Sequence, residues 1–527
     1  MVSALARDRD RAMREGLDEL NACYAGRDAA WWARRFQEAL GGGGPPLRIL
    51  ASVSTHTTFL QYCMRDAARA ARKLGCEFHV LTESRAFDSV SPLTFHRLLR
   101  ELQPDLFFAL DHLRSSFPAH LPDNLPLLTW DQDALQHVFT AGNLAKMSPL
   151  DAVVGLPKVE CIVRHGCDPR QFLAAHIASC PEEFDASTLS EDDLAPFRCD
   201  VSYVSHGSQT AEQFHRSERD TYPDENARRL LDALLPLARQ AVLEQGAMDG
   251  GRLRALLARA EQQTGIRVVD PVMRDRLIGW HLWRLCDRFF RHQALEWAAE
   301  WAVRRGRSLR IYGNGWETHP TLSPFAAGAI QNGRELLCLY RASAINLQLM
   351  PAGFIHQRAL DGLLAGGFFL ARATHADRRD SRLPRLVQGI RRQGWASGAA
   401  LLAGGDEQTI GLFHEMRTVY GYPEQQVEDA FHAILADAQL DYPAEVFPGF
   451  EAIVYADSAS FQRMADAFTA DPARRAAMAA QMRDVVVRRY TYAAAMRRFL
   501  SFHRDYLASR ASDRPGARPP AQKPSPA

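Results

Sequence analysis

A chain of 527 residues exceeds the size at which a single hydrophobic core usually stops growing, so two domains with extensions are expected. Its 63 basic and 62 acidic residues leave a net charge of +1, which gives no electrostatic footprint for nucleic acid or an anionic membrane. Nine scattered cysteines form no C-x-x-C pair and read as reduced thiols, no apolar run reaches the ~18 residues of a membrane span, and the start MVSALARDRDRAMREG lacks a signal-type apolar core, so a cytoplasmic protein is expected.

In chain order, residues 1–46 read as a helical extension and linker. Leu17, Leu20, Tyr24, Trp31, Trp32 and Phe36 form a loose apolar stripe, which GGGGPP at 41–46 ends. Residues 47–198 alternate strands with helices: LRILASV, CEFHVLT, DLFFALD, Leu125 to Trp130, Asp151 to Gly155 and Val159 to Val163, with helices through Phe59 to Arg72 and Leu93 to Leu102. Short apolar strands separated by helices predict a parallel sheet covered on both faces. The loop after the first strand is Ser54-Thr55-His56-Thr57-Thr58, with no G-x-G-x-x-G, which disfavours a nicotinamide dinucleotide. Cys161, His165 and Cys167 supply too few ligands in the wrong spacing for structural zinc.

A second α/β unit is expected over 199–500. It begins with a strand at Asp200 to Val204, is interrupted by a helical insertion over 211–307, and resumes with the strand Leu309 to Tyr312. Trp280, Trp283, Phe289, Phe290, Trp297 and Trp301 fall at near-helical spacings in the insertion; they read as core, or, if exposed, as a face for a partner protein, a second copy or a glycan. The stretch from Glu335 to Leu370 then reads helix, buried strand, loop, helix, Gly-Gly turn, strand. Pro351, Ala352 and Gly353 break the strand, and a helix starting near Gly353 carries Arg358 and Asp361 on one face. The N-terminus of such a helix offers unsatisfied N–H groups and partial positive charge to a phosphate or pyrophosphate. A polar, mixed stretch follows to Leu440, then Glu451 to Tyr455, helices from Ser460 and a long last helix over Arg488 to Arg510; in 501–527 that helix ends in a Pro-rich tail expected to be disordered.

Arg358, Asp361 and Ala365-Gly366-Gly367 resemble the R-x-x-E and small-residue turn of GT-B glycosyltransferases of the CgeB-like branch, with Asp where that family usually has Glu. Other pieces stand in the family's order: Arg48 to Leu50, Asp200 to Val204, Ile311 to Trp316, Tyr490 to Tyr492, and Arg497 with Arg498. The resemblance covers most of Leu47 to Leu500. It implies an α/β GT-B fold in which two Rossmann-like domains face a cleft, the acceptor domain first and the nucleotide-sugar domain second, with the last helix returning to the first domain. It also implies that Asp361 holds the ribose hydroxyls, that Gly313, Asn314, Gly315 and Trp316 border the donor pocket, and that Gly353, His356 and Arg358 meet the pyrophosphate, Gln357 being a further candidate there.

Retaining members carry a second acid eight positions before the R-x-x-E acid, where this chain has Gly353; inversion is therefore expected, with a uridine diphosphate-type leaving group stabilised by the helix N-terminus and Arg358 and no metal required. Direct attack by an acceptor hydroxyl needs a general base. His56, just past the first strand, leads the candidates, because an unperturbed imidazole with a pKa of about 6.5 suits proton uptake at neutral pH; it reads equally as a loop histidine in a helix cap. Asp131 serves as base or orients His56, and Asp111 with His112 is a third option. Trp316 reads as a nucleobase platform or a buried anchor. A GT-B-shaped protein that binds without catalysis and a sugar-nucleotide epimerase are the alternatives. The acceptor, whether glycan, protein or small molecule, is not legible in the residues.

Overall fold

The computed structural model describes residues 2–85, 90–117, 120–133, 138–155, 167–420, 422 and 424–512; the expected strand Val159 to Val163, the Cys161 and His165 pair and the Pro-rich tail lie outside them. The chain divides into two compact units, Met1–His176 with Tyr492–Ala527, and Ile177–Thr491.

The first unit holds a six-stranded parallel sheet in the order β2-β1-β3-β4-β5-β6. The strands are β1 (Arg48–Val53), β2 (Glu77–Thr82), β3 (Leu106–Leu110), β4 (Leu127–Asp131), β5 (Ala152–Gly155) and β6 (Phe172–Ala174). All of β3, LFFAL, is buried, as a central parallel strand covered on both faces requires. The N-terminal extension belongs to this unit. Trp32 and Phe36 of the helix Ala29–Leu40 are buried, and Arg35 forms a 2.7 Å ion pair with Asp105, which also accepts from the backbone N–H of Arg48 at the start of β1. The last helix, Tyr492–Ser512, packs on Ala29–Leu40 and on Thr58–Lys73 and is anchored by His503 Nε2 to Leu150 O at 2.8 Å and by the Tyr506 hydroxyl to Pro149 O at 2.7 Å.

The second unit holds a five-stranded parallel sheet in the order β11-β10-β9-β7-β8. Its strands are β7 (Cys199–Val204), β8 (Leu309–Tyr312), β9 (Ser343–Gln348), β10 (Phe369–Arg372) and β11 (Val454–Tyr455). Residues 177–198 belong here, although the sequence assigns them to the first domain. Ser179 N–H donates to Tyr490 O at 2.8 Å, Phe184 sits in this unit's core, and Asp193 pairs with Arg334 at 2.8 Å. The other boundary falls at Thr491 instead of residue 500, because the long last helix expected from Arg488 is two helices, Pro472–Arg489 and Tyr492–Ser512.

Two helical insertions interrupt this sheet. The one between β7 and β8 runs from Ala211 to Arg305 and has its own core, built on Leu230, Leu231, Leu234 and Leu257. Its last helix, Trp283–Arg305, is shared: Leu285 and Phe290 enter that local core, whereas Leu295, Ala298 and Trp301 enter the core around the sheet. The aromatic stripe is thus largely core, with Trp280 the member left 42% exposed. The other insertion, between β10 and β11, escaped the sequence reading. Helices Arg382–Gln393, Gly398–Gly404, Glu407–Val419 and Val427–Asp437 enclose a small core around Leu386, Phe413, Met416 and Phe431. Weak amphipathicity in two of these helices made the stretch look merely polar and mixed.

Candidate functional site

In the second sheet, the chain goes from β7 outward to β8 and then returns to β9 on the other side of β7. The gap beyond the carboxyl ends of β7 and β9 is therefore the topological switch point, where open α/β sheets take ligands. Arg358 straddles it. Its Nε donates to Val204 O at the end of β7 at 2.7 Å, and its Nη1 to Gln348 Oε1 at the end of β9 at 3.1 Å. The guanidinium lies 5.0 Å from the centre of the Tyr203 ring.

The loop after β9 turns at Gly353, whose φ of +117° excludes ordinary side chains; a Cβ there would also meet Asp377 Oδ1 at 3.3 Å. Asp377 fixes this loop by accepting from Phe354 N–H at 2.6 Å and the Thr374 hydroxyl at 2.7 Å, and burial pushes its carboxyl up to about 6. The following helix is Gln357–Leu364, starting four residues later than the sequence suggests. His356 is its N-cap, with Nδ1 accepting from Arg358 N–H at 3.3 Å. Burial, with Arg358 and Arg291 nearby, pushes this imidazole down to about 3. It is therefore neutral at physiological pH, and the bond to Nδ1 leaves its proton on Nε2, a hydrogen-bond donor.

Three arginines gather around one carboxylate here. Arg291 donates through Nε to Asp287 Oδ1 at 2.7 Å, through Nη1 to Ser205 Oγ at 3.1 Å, and through Nη2 to Met350 Sδ at 3.5 Å. Burial pushes the Asp287 carboxyl up, against the opposing pull of Arg291, Arg288 and Arg358. The excess of positive charge beside the loops after β7 and β9 suits an anion. Sequence reasoning missed Arg291, Arg288 and Asp287. The signal was present: Arg284, Asp287, Arg288 and Arg291 stand at i, i+3, i+4 and i+7 on one helix face, masked by the aromatic residues around them.

Asp361 does not meet Arg358 as their shared face suggests. It is 5% exposed, and its Oδ1 accepts from Gln357 Nε2 at 2.6 Å and from the Ser179 hydroxyl. Arg358 instead turns to the strand ends. Gly313 and Gly315 serve a neighbouring loop: a Cβ on Gly313 would overlap Ser205 O, and one on Gly315 would stand 2.5 Å from Ser208 Oγ. Asn314 N–H donates to His206 Nδ1 at 3.1 Å. Trp316 is fully buried, with Nε1 donating to Ser205 O at 2.6 Å, so it is an anchor and not an exposed platform. Together these contacts pin the loop Ser205 to Ser208 after β7.

In the first unit, β1 and β4 each flank β3, so His56, in the loop after β1, and Asp131, at the end of β4, lie at one carboxyl edge. His56 is exposed, and its N–H donates to Ser54 Oγ at 3.1 Å; Thr57, not His56, caps the helix Thr58–Lys73, accepting from Leu60 N–H at 3.1 Å. Asp131 is 4% exposed. Between them Asp111 holds a left-handed backbone with φ +54° and accepts from Gln132 and Asp133 N–H at 2.7 and 3.1 Å, its carboxyl pushed up by burial. His112 Nδ1 stands 2.8 Å from Leu110 O. Among the described residues no group of three or more His, Cys, Asp or Glu side chains is placed to share a metal ion, and no helix is long and apolar enough to cross a membrane.

Two parallel sheets flanked by helices, each carrying its polar loops at the carboxyl edge, define a protein of two Rossmann-like domains, consistent with the GT-B fold. A family model described as glycosyl transferase-like matches residues 432–501. No curated protein matches the chain. Among solved structures, it is similar to a sucrose-phosphate synthase from Thermosynechococcus elongatus, at 9% identity over 88% of this chain and 100% of the other, with a TM-score of 0.43. It is similar to the catalytic domain of starch synthase IV from Arabidopsis thaliana bound to ADP and acarbose, at 8% identity over 88% and 100%, with a TM-score of 0.42. A glycosyltransferase from Streptomyces nogalater matches at 10% identity over 87% and 99%, with a TM-score of 0.32.

Proposed function

We propose that this chain is a glycosyltransferase that moves a sugar from a nucleotide-sugar donor to an acceptor hydroxyl. The observation that carries the reading is the cationic switch point: Arg358 across the ends of β7 and β9, Arg291 beside it, and a neutral His356 capping the next helix. The match of residues 432–501 to a glycosyl transferase-like family model supports the same class.

In the proposed step the acceptor oxygen forms a bond to the anomeric carbon, and the bond from that carbon to the diphosphate oxygen breaks with its electron pair leaving on the diphosphate. Arg358, Arg291 and the donor proton on His356 Nε2 meet the developing charge, so no metal is needed for that purpose. Gly353 stands where a second donor-side acid would be, which supports inversion. The acceptor proton goes to a base at the first sheet's carboxyl edge, with His56 favoured for its exposure and Asp131 as alternative. Asp361 is proposed as the ribose ligand, a role in which the sugar diol displaces Ser179.

Asp361 in place of the family's usual Glu and Gly353 in place of a second acid favour a second reading, a protein of this shape that has lost catalysis and serves binding or assembly through its helical insertion and N-terminal extension. Thermal shift and turnover against a panel of nucleoside diphosphates and nucleotide sugars in EDTA separate the readings. Stabilisation by one nucleotide together with sugar release or transfer supports the transferase. Stabilisation without turnover supports the binding protein, and no stabilisation by any nucleotide puts the transferase behind it.

A further inference from the structure

A cavity of about 340 Å³ lies in the second unit, between the helical insertion and the turn at His319 to Thr321. This volume is at the lower end of small-molecule sites, about 300–1,000 Å³. Glu212, Arg288, Phe289, Glu296 and Thr321 are the groups that give it chemical character.

Arg288 is the least satisfied of them. Its guanidinium sits 4.1 Å from the centre of the Phe214 ring, and burial pushes its pKa down to about 10. Nη1 donates to Arg284 O at 3.1 Å and Nη2 to Gln209 Oε1 at 3.2 Å, but Nε is buried with no hydrogen-bond partner among the described residues, and no carboxylate there lies within ion-pair distance. A buried donor left unpaired costs about 1–3 kcal/mol, so this arginine is held under strain in the cavity wall. Glu296 also has acceptor capacity to spare. Among the described residues it takes only a long 3.3 Å bond from the Thr321 hydroxyl, and burial, with Glu212 nearby, pushes its carboxyl up. Glu212 itself pairs with Arg239.

The two histidines of the wall carry no charge. Leu322 N–H donates to His319 Nδ1 at 3.1 Å, which places the His319 proton on Nε2; that proton goes to His292 Nδ1 at 3.2 Å, and His292 Nε2–H donates to Gly207 O at 2.7 Å. Burial pushes His292 down to about 4 and lowers His319. The lining thus holds two carboxylates and two guanidiniums, a net charge of zero. An anion would meet Glu212 and Glu296, and a cation would meet Arg288 and Arg239. A hydroxyl, which donates and accepts at once, satisfies acceptor-only carboxylates and donor-only guanidiniums side by side. Phe289, with the Arg239 guanidinium 5.4 Å from its ring centre, and Pro320 give the lining its apolar part, against which the C–H face of a sugar ring can pack.

We infer that the cavity lined by Arg288, Phe289 and Glu296 is a second binding site, adjoining the proposed donor site through Arg288, for a neutral carbohydrate of one or two rings. Its wall is hydrogen-bonded through His319 and His292 to Gly207 O of the loop after β7, the loop that Arg291 also holds.

The test is saturation-transfer NMR and calorimetry on the full chain with methyl α-glucoside, methyl β-galactoside, N-acetylglucosamine and maltose, against inorganic phosphate and glycine. At least one neutral sugar is expected to bind, with affinity falling about tenfold or more in Glu296→Ala and in Phe289→Ala and unchanged in Arg358→Met. Thr321→Val is the further variant if either alanine protein fails to fold. The inference is overturned if no neutral sugar binds, if binding survives the cavity substitutions, or if only phosphate or glycine binds. Nucleotide thermal shift on the same samples reads the donor proposal separately, so the two can fail independently.

Discussion

His503 makes a buried, pH-sensitive anchor in the first unit, and replacing it with glutamine isolates its titration. The side chain is fully buried, Nε2 donates to Leu150 O at 2.8 Å, and Nδ1 has no hydrogen-bond partner among the described residues. Burial pushes the imidazole down to about 4. In the unfolded chain the pKa returns to about 6.5, so between the two values the unfolded state binds the extra proton. The stability contribution is complete above pH 6.5 and is lost as pH falls toward 4. At pH 5, protonation favours the unfolded form by about thirtyfold, or about 2 kcal/mol. Asp111, with its carboxyl raised by burial, works in the opposite direction within this unit, which is why comparison with a variant is needed. Hydrogen-exchange mass spectrometry on peptides from Tyr492–Ser512, corrected for intrinsic pH dependence, measures the local opening energy. Wild type is expected to lose about 2 kcal/mol more protection than His503→Gln between pH 7.5 and 5. Equal losses in the two proteins would refute the assignment of a buried neutral imidazole.

Gly313→Ala places a methyl group into Ser205 O at φ +135° and is expected to destabilise the second unit by about 3 kcal/mol or more in urea melts, whereas Gly26→Ala, with open space around it, stays within about 0.5 kcal/mol. Asp377 has a folded pKa of about 6, above its unfolded value, so its contribution is largest below about pH 4 and is lost as pH rises through 6. Asp377→Asn should flatten that part of the stability profile of the second unit. On the donor proposal, Arg291→Ala and Asp361→Ala each weaken nucleoside diphosphate binding by about tenfold or more in calorimetry, and wild-type affinity in a folded variant would remove that residue from the site.

Some of this architecture was written locally. The buried runs LFFAL and LLTWD, the break at Pro351 to Gly353 and the leucine-rich helices each carry their periodicity within about ten residues, so strands, turns and the first insertion are legible there. Arg358 was also legible, because it stands in the first turn of the helix that follows the strand and its chain-breaking loop. The insertion between β10 and β11 was not, since its apolar residues become one core only when four helices meet.

What a one-dimensional reading leaves out is which partner a polar group selects. Arg358 and Asp361 share a helix face, yet the arginine turns to Val204 O and Gln348 and the aspartate to Ser179, 182 positions away in sequence. Arg291 joins the switch point because a helix 86 positions after Ser205 packs back onto that loop. The sequence by itself determined the two parallel α/β units and the segment on which the candidate site lies, because periodicity and chain breaks are short-range properties. Only the tertiary structure decided the hydrogen-bond partners, the buried or exposed state of each titratable group and the second cavity, because burial and charge compensation are set by residues far apart in the chain.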